Sequence, residues 1–310
     1  MLSGEVVVSI KCLVYNHERF LRQCLDGFVM QKTNFKFEAI VHDDCSTDKS
    51  VDIIKEYAQK YPNIIKPIYE DENQYSKGFK IALEKINKAF RGKYIALCEG
   101  DDYWTDPYKL QKQVDFLESH PDYTLCFHNA IEHWDKGEKE DSLFVKNVTS
   151  DHDYTGIEIL KDWTIPTASV VFRRSVIDSD LYQRACLDNR FAYGDIVLFL
   201  TSAELGKIHC LNEVMSVYRR HEGGAVFKFN YDFLKKMPNH NRATIETFGE
   251  KYKAVLTPRM ISYQYFRLCL EANKRKDYRI AISSFVHSFI YSPNGFYLAL
   301  KEYFCMKLKK

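Results

Sequence analysis

The chain has 310 residues, 45% of them hydrophobic and 28% charged, with a formal net charge of +2. That length supports one large domain, or one domain with a smaller appendage, and the near-neutral charge gives no global field for nucleic acid. Nine scattered cysteines without C-x-x-C spacing argue against a zinc site and fit a reducing cytosol, and no apolar run reaches the roughly 18 residues of a membrane span.

The start, MLSGEVVVSI, lacks a basic stretch followed by a long apolar one, so no signal peptide is expected. EVVVSIKCLV (5–14) is β-branched and predicts a buried strand. HERFLRQCLDGFVMQ (17–31) carries a helical stripe of Phe20, Leu21, Cys24, Leu25 and Phe28. FEAIVH (37–42) predicts a second strand. STDKSVDIIKEYAQKY (46–61) predicts a helix capped by Ser46 or Thr47, with Asp48 in its first turn. IIKPIY (64–69) is a third strand, placed near an edge by Pro67. A helix over 77–90 and a strand over 93–98 complete a β-α-β-α-β-α-β series.

Beyond it, Asp106 and Pro107 open a predicted helix (105–121) with the stripe Leu110, Val114 and Leu117. A strand over 123–134, a polar surface loop over 135–153, a strand over 168–177 and a helix over 194–206 follow. The stretch 207–225 suggests a strand pair ending in a glycine turn, and from about 226 the pattern turns helical, with a helical hairpin.

Strands alternating with helices imply a mainly parallel, Rossmann-like sheet covered on both faces, whose ligands bind beyond the carboxyl ends of the strands. Those ends carry Tyr15, Asn16 and His17, then Asp43 and Asp44, then Glu99, Gly100, Asp101 and Asp102. Three carboxylates within four residues repel one another and call for compensation. Hard divalent cations take such oxygens, usually one or two carboxylates plus substrate phosphates.

The combination of VSIKCLVYNHERFLRQCLDGFVMQ, FEAIVHDDCSTDKSVDIIKEY, KYIALCEGDDYWTDPYKLQKQVDFL, YGDIVLFL and YRRHEGG resembles the inverting family 2 glycosyltransferases of the GT-A fold, particularly bacterial enzymes of surface polysaccharide synthesis. The likeness covers about residues 5–224, and departs from the common pattern at Lys11-Cys12 and at Glu99, where many relatives have Asp. It implies a GT-A domain over 1–224 and a C-terminal helical region over 225–310. It also implies a nucleotide diphosphate sugar donor, a UDP-sugar by preference, used with Mn2+ or Mg2+.

By the same resemblance Asp102 ligates the metal, Asp101 contacts the donor's ribose or sugar, and Glu99 acts through water. Asp44 accepts the imino N–H of uracil, and Tyr15 stacks on the base. Asn16 steadies the loop, while Glu18 and Lys77 flank the nucleotide, Lys77 toward phosphate. His221 lies by the diphosphate or metal, with Arg219 or Arg220 on phosphate oxygens. Asp195, at a helix start after FAYG, takes the place of the catalytic base, with Asp188 a nearby rival and Glu204 a weaker one. Trp163, Thr167 and Ser169 occupy the acceptor region.

The acceptor expected is a saccharide or lipid-linked hydroxyl. No nucleic-acid partner is expected, and an oligomer is compatible with the sequence. The location expected is the cytoplasm, with peripheral contact at the inner membrane face suggested by the lysines of KEYFCMKLKK. A non-catalytic nucleotide-sugar-binding protein of the same fold is the alternative. A sugar-1-phosphate nucleotidyltransferase is disfavoured because VYNHERF, after the first strand, lacks glycine.

Overall fold

Asn16 adopts a left-handed φ of 57°, a conformation asparagine tolerates, and so ends strand β1 (Val6–Val14) in a sharp turn. Residues 17–20 close that turn, with the Phe20 and Leu21 N–H groups on His17 O. Helix α1 (Leu21–Val29) therefore opens four residues later than the apolar stripe alone predicts. The computed structural model describes residues 4–77, 80–137, 139–146, 148–162, 164–224 and 231–308.

Strand β2 (Lys36–Asp43) and helix α2 (Ser50–Lys60) follow, then β3 (Ile65–Tyr69), α3 (Lys80–Ala89) and β4 (Tyr94–Leu97). Next come β5 (Tyr103–Trp104), α4 (Lys109–Ser119), β6 (Tyr123–Trp134), β7 (Ser142–Leu143), β8 (His152–Tyr154) and α5 (Gly156–Asp162). The series continues with β9 (Val171–Arg173), α6 (Asp180–Leu187), α7 (Gly194–Leu205) and β10 (Lys207–Arg220). Four helices end it: α8 (Tyr231–Phe248), α9 (Pro258–Lys274), α10 (Tyr278–Tyr291) and α11 (Pro293–Leu308).

The sheet order is β3-β2-β1-β4-β9-β6-β10-β5, with β7 beside β6 and β8 beside β10. Pro67 sits on the edge strand β3, where its missing N–H costs no ladder bond on the open side. β1 runs parallel to β2 and β4, and β10 parallel to β6. β9 is antiparallel to both β4 and β6. The two parallel sets consequently point the same way, and all their carboxyl ends open on one edge.

Several expectations are corrected. The predicted strand pair over 207–225 is one strand, β10, in which register shifts at Leu211/Val214 and Val214/Ser216 absorb the polar Asn212-Glu213. Of the predicted strand over 168–177 only β9 is extended, between two 3-10 turns. The predicted surface loop over 135–153 includes β7 and the first residues of β8. Asp106 lies three residues before α4, and its carboxylate accepts the Tyr108 N–H at 2.7 Å.

α1 lays Leu21, Cys24, Leu25 and Phe28 on the core. It approaches β5 so closely that a Cβ on Gly27 would lie 3.0 Å from the Trp104 backbone nitrogen. The chain divides into two compact units, residues 1–182 with 198–221, and residues 183–197 with 222–310. In the second unit α9 packs against α8, α10 and α11.

Candidate functional site

The loop after β1 and the loop after β2 are stitched together by side chains. The N–H of Ser46 is taken by Asp43 Oδ2 at 3.0 Å, that of Thr47 by Asn16 Oδ1 at 2.7 Å, and that of Lys49 by Glu18 Oε2 at 3.0 Å. Asp48 accepts from Ser50 N–H through Oδ1 and from Glu18 N–H through Oδ2, both at 2.9 Å. Of these donors only the Ser50 N–H belongs to α2, held locally by Asp48, while that of the N-cap residue Lys49 is held from across the sheet edge by Glu18. This is why the helix starts at Ser50, and why neither Ser46 nor Thr47 caps it. Ser46 Oγ instead accepts the Asn16 N–H at 2.9 Å.

Asp44 is buried, and its carboxylate accepts the Gln74 N–H at 2.7 Å and the Tyr75 N–H at 3.0 Å. Each oxygen keeps a second lone pair for a ligand donor. Lys77, one turn on, pairs with Glu72 on the surface. Tyr15, in the loop after β1, is 46% exposed. Asp43 is 1% exposed, and its Oδ1 has no hydrogen-bond partner among the described residues.

The loop after β4 faces the end of β10. β5 pairs Trp104 with Ser216 and Tyr103 with Val217, which brings Asp102 within reach of the Arg219 backbone. The Arg219 N–H donates to Asp102 Oδ1 at 2.8 Å, and its guanidinium donates to Asp101 O at 2.7 Å and to Gln23. That guanidinium lies between the rings of Tyr103 and Phe20, at 4.5 and 5.0 Å from their centroids. Arg219 is therefore committed to holding the acidic loop. Arg220 pairs with Glu132 at 2.7 Å.

Asp101 is partly buried and its neighbour Asp102 fully so, and their electrostatics diverge. Burial would raise Asp101, but His221 Nε2 at 2.9 Å and His17 Nε2 at 3.9 Å outweigh it and hold the carboxyl below its ordinary value. Burial, then the charges of Asp101 and Glu99, push Asp102 well above its ordinary value against the N–H and charge of Arg219. Behind them lie Cys12, Cys24 and Cys98, all fully buried, with Cys24 Sγ 3.4 Å from Glu99 O and the Cys98 thiol pushed up to about 12 by burial. Buried cysteines make a weakly polar floor, which increases the cost of an uncompensated carboxylate above it.

His17 is the residue that sequence reasoning passed over. It appeared among the strand-end residues without a role. The structure places its ring against Asp101, with burial lowering its pKa, and leaves Nδ1 without a partner among the described residues. A Cβ on Gly100 would lie 2.8 Å from that nitrogen, so the glycine of EGDD is what admits the histidine.

Asp195 opens α7, where its Oδ1 accepts the Ile196 N–H at 3.0 Å. Asp188 is gripped by Arg190 at 2.7 Å. Both belong to the second unit, whereas Glu204 and the strand-end residues belong to the first. Trp163 lies outside the described residues. Thr167 and Ser169 form a 3-10 turn in which Ser169 is buried with its hydroxyl on Pro166 O.

No group of three or more His, Cys, Asp or Glu side chains among the described residues is arranged to hold a metal ion. His221 Nε2 is occupied by Asp101 rather than Asp102. The donor chemistry nevertheless fits a hard cation held by Asp102, because such ions take one or two protein carboxylates and complete their shell with phosphate and water.

The model of glycosyl transferase family 2 matches residues 9–179. The chain belongs to that family. Within it, the chain is 41% identical over 217 residues to the uncharacterized protein Rv1520 of Mycobacterium tuberculosis, covering 70% of this chain and 60% of that protein. The chain thus spans less than two thirds of the mycobacterial relatives it matches. Among solved structures, S. aureus TarS 1-349 in complex with UDP-GlcNAc superposes with a TM-score of 0.68 at 17% identity, over 94% of this chain and 83% of that one. The mannosyltransferase PcManGT of Pyrobaculum calidifontis, in complex with GDP-Man and Mn2+, gives 0.56 at 13% identity, over 98% and 81%. At these identities the superpositions establish the GT-A fold of this family 2 member.

Proposed function

We propose that this family 2 protein is an inverting glycosyltransferase. It moves a sugar from a UDP-sugar to a hydroxyl of a saccharide or lipid-linked acceptor in bacterial surface glycan synthesis, at the cytoplasmic side of the membrane. The observation that carries the reading is the Asp101–Asp102 pair at the shared carboxyl edge. One carboxylate is paired with His221 and faces His17, and the other is buried and short of positive charge. A Mn2+ or Mg2+ ion bound with the donor's diphosphate would supply the missing positive charge. Related proteins support this: TarS was solved with UDP-GlcNAc and PcManGT with GDP-Man and Mn2+.

In this reading Tyr15 stacks on the base, and Asp44 accepts its imino N–H through a lone pair left beside the Gln74 and Tyr75 bonds. Asp101, oriented by His221 and His17, takes the donor's ribose or sugar hydroxyls. Asp102 holds the cation, with Glu99 reaching it through water, and the ion when bound offsets charge on the departing diphosphate. Asp195 accepts the proton of the acceptor hydroxyl as its oxygen bonds the anomeric carbon from the face opposite the leaving group. The carbon–oxygen bond to the diphosphate breaks in the same step, so the configuration inverts.

Thermal shifts with UDP- and GDP-sugars, with and without Mn2+, test the donor side, because a ligand that binds only the folded state raises Tm. A UDP-sugar should raise Tm only when Mn2+ is present; a shift with GDP-sugars alone reassigns the base. Asp195→Asn should keep the donor shift and lose transfer. Retained transfer moves the base role to Asp188.

A further inference from the structure

Helix α10 is built inside out. The residues it buries are small, Ala281, Ser284 and Ser288. Ser288 and Ser262 of α9 exchange hydroxyl-to-carbonyl hydrogen bonds, both at 2.7 Å, so the two helices meet through small residues. The large apolar side chains point away. Tyr278, Ile282, Phe285, Val286, Phe289 and Ile290 are between 46% and 67% exposed. At about 100° per residue they span an arc of about 140° along a helix about 21 Å long. Phe285 and Phe289 meet Phe296 of α11 edge-on at 4.9 and 5.8 Å, so the face is braced from beneath.

Soluble helices bury such residues, and a contiguous exposed face of this kind marks an interaction surface. Small residues between helices with large apolar residues outward is the packing of helices in lipid. No helix among the described residues is long and apolar enough to cross a membrane. A face of this width instead suits a helix lying in the headgroup boundary.

Charge selects the occupant. Residues 274–310 contain eight Lys and Arg against one Asp and one Glu, a net charge of +6 in a chain whose total is +2. The rest of the chain is therefore net −4. α10 contains no acidic residue and exposes Arg279 on the apolar side, with Arg275 and Lys276 exposed just before it. Two copies meeting through this face would bring like charges together, whereas an anionic bilayer complements them.

We propose that the outward face of α10, with its basic collar, docks this chain onto an anionic lipid surface. The inference deepens the reading above on its acceptor side, since a lipid-linked acceptor resides there. It is tested without donor or acceptor, so it can fail while transfer stands, and the reverse.

The experiment is co-sedimentation of the full chain with vesicles of phosphatidylcholine containing about 30% phosphatidylglycerol, beside pure phosphatidylcholine, at low and high salt. Light scattering of the vesicle-free protein is run in parallel. Binding should require the anionic lipid and weaken with salt. Ile282→Asp/Ile290→Asp should reduce it about tenfold or more. Both positions are 67% exposed, so the urea midpoint should be unchanged. Arg275→Glu/Arg279→Glu should weaken binding while leaving every apolar side chain of the face in place. Absence of binding to anionic vesicles overturns the proposal, as does equal binding by the aspartate variant. A dimer that the aspartate variant dissociates, without vesicle binding by the parent chain, overturns it in favour of a second copy.

Discussion

Replacing Lys109 with Met should make the protein more stable at neutral pH, by an amount that shrinks as pH rises. Lys109 is fully buried under the site. Its Nζ donates to Gln113 Oε1 at 2.7 Å and lies 4.2 Å from the Trp104 ring centroid, beneath the strand whose Tyr103 packs on Arg219. Burial pushes its pKa from 10.5 down to about 7. The unfolded chain therefore holds this proton more tightly, and between those values stability rises with pH. At about 1.36 kcal/mol per pH unit the burial of Lys109 costs about 4 kcal/mol at neutral pH. Methionine removes that cost but orphans Gln113 Oε1, at about 1–3 kcal/mol. The variant should then lead by roughly 1–3 kcal/mol at about pH 7, and that lead should fall by about 2 kcal/mol by about pH 9. Urea unfolding of both proteins at the two pH values measures it. A stability difference that stays constant with pH refutes the neutral buried lysine.

Three further outcomes follow from the site. Gly100→Ala places a Cβ 2.8 Å from His17 Nδ1 and 3.0 Å from Val14 Cγ2, and should raise donor KM or lower kcat about tenfold or more; unchanged kinetics would show that His17 can move freely. Glu18→Ala removes the acceptor of the Lys49 N–H and should cost about 1 kcal/mol in urea unfolding; no change would mean that water replaces this cap. Tyr15→Ala removes the stacking face and should raise donor KM about tenfold with Tm unchanged, since the side chain is half exposed; an unaltered KM would move the base elsewhere.

The alternation of strand and helix through residue 97 was legible because each element carries its own periodicity, and β1, β2, β3 and β6 fall where that periodicity puts them. The carboxyl ends of the strands likewise pointed to Asp101 and Asp102, and the family resemblance added Arg219 and His221, which the fold brings beside them. What local pattern could not show is pairing across distance. The bond from Arg219 to Asp102 spans 117 positions, and it depends on β5, a two-residue strand with no periodicity to read. α2 is capped by Glu18 and not by Ser46, because the cap is a tertiary contact. His17 escaped a role for the same reason. The signal that could have found it is Gly100, a position where any side chain would collide with the histidine. β10 looked like two strands because Asn212-Glu213 resembles a turn, whereas the sheet accommodates those residues as an irregularity in register.

The proposed donor site turns on Asp102 as the carboxylate through which a divalent cation completes it. Release of UDP from a UDP-sugar in the presence of acceptor, titrated with Mn2+, measures it for the parent chain and for Asp102→Ala. The expected result is saturable Mn2+ dependence in the parent chain, and loss of turnover at every Mn2+ concentration in a variant that still unfolds cooperatively in urea. Unchanged turnover in Asp102→Ala, with the same Mn2+ dependence, would contradict it.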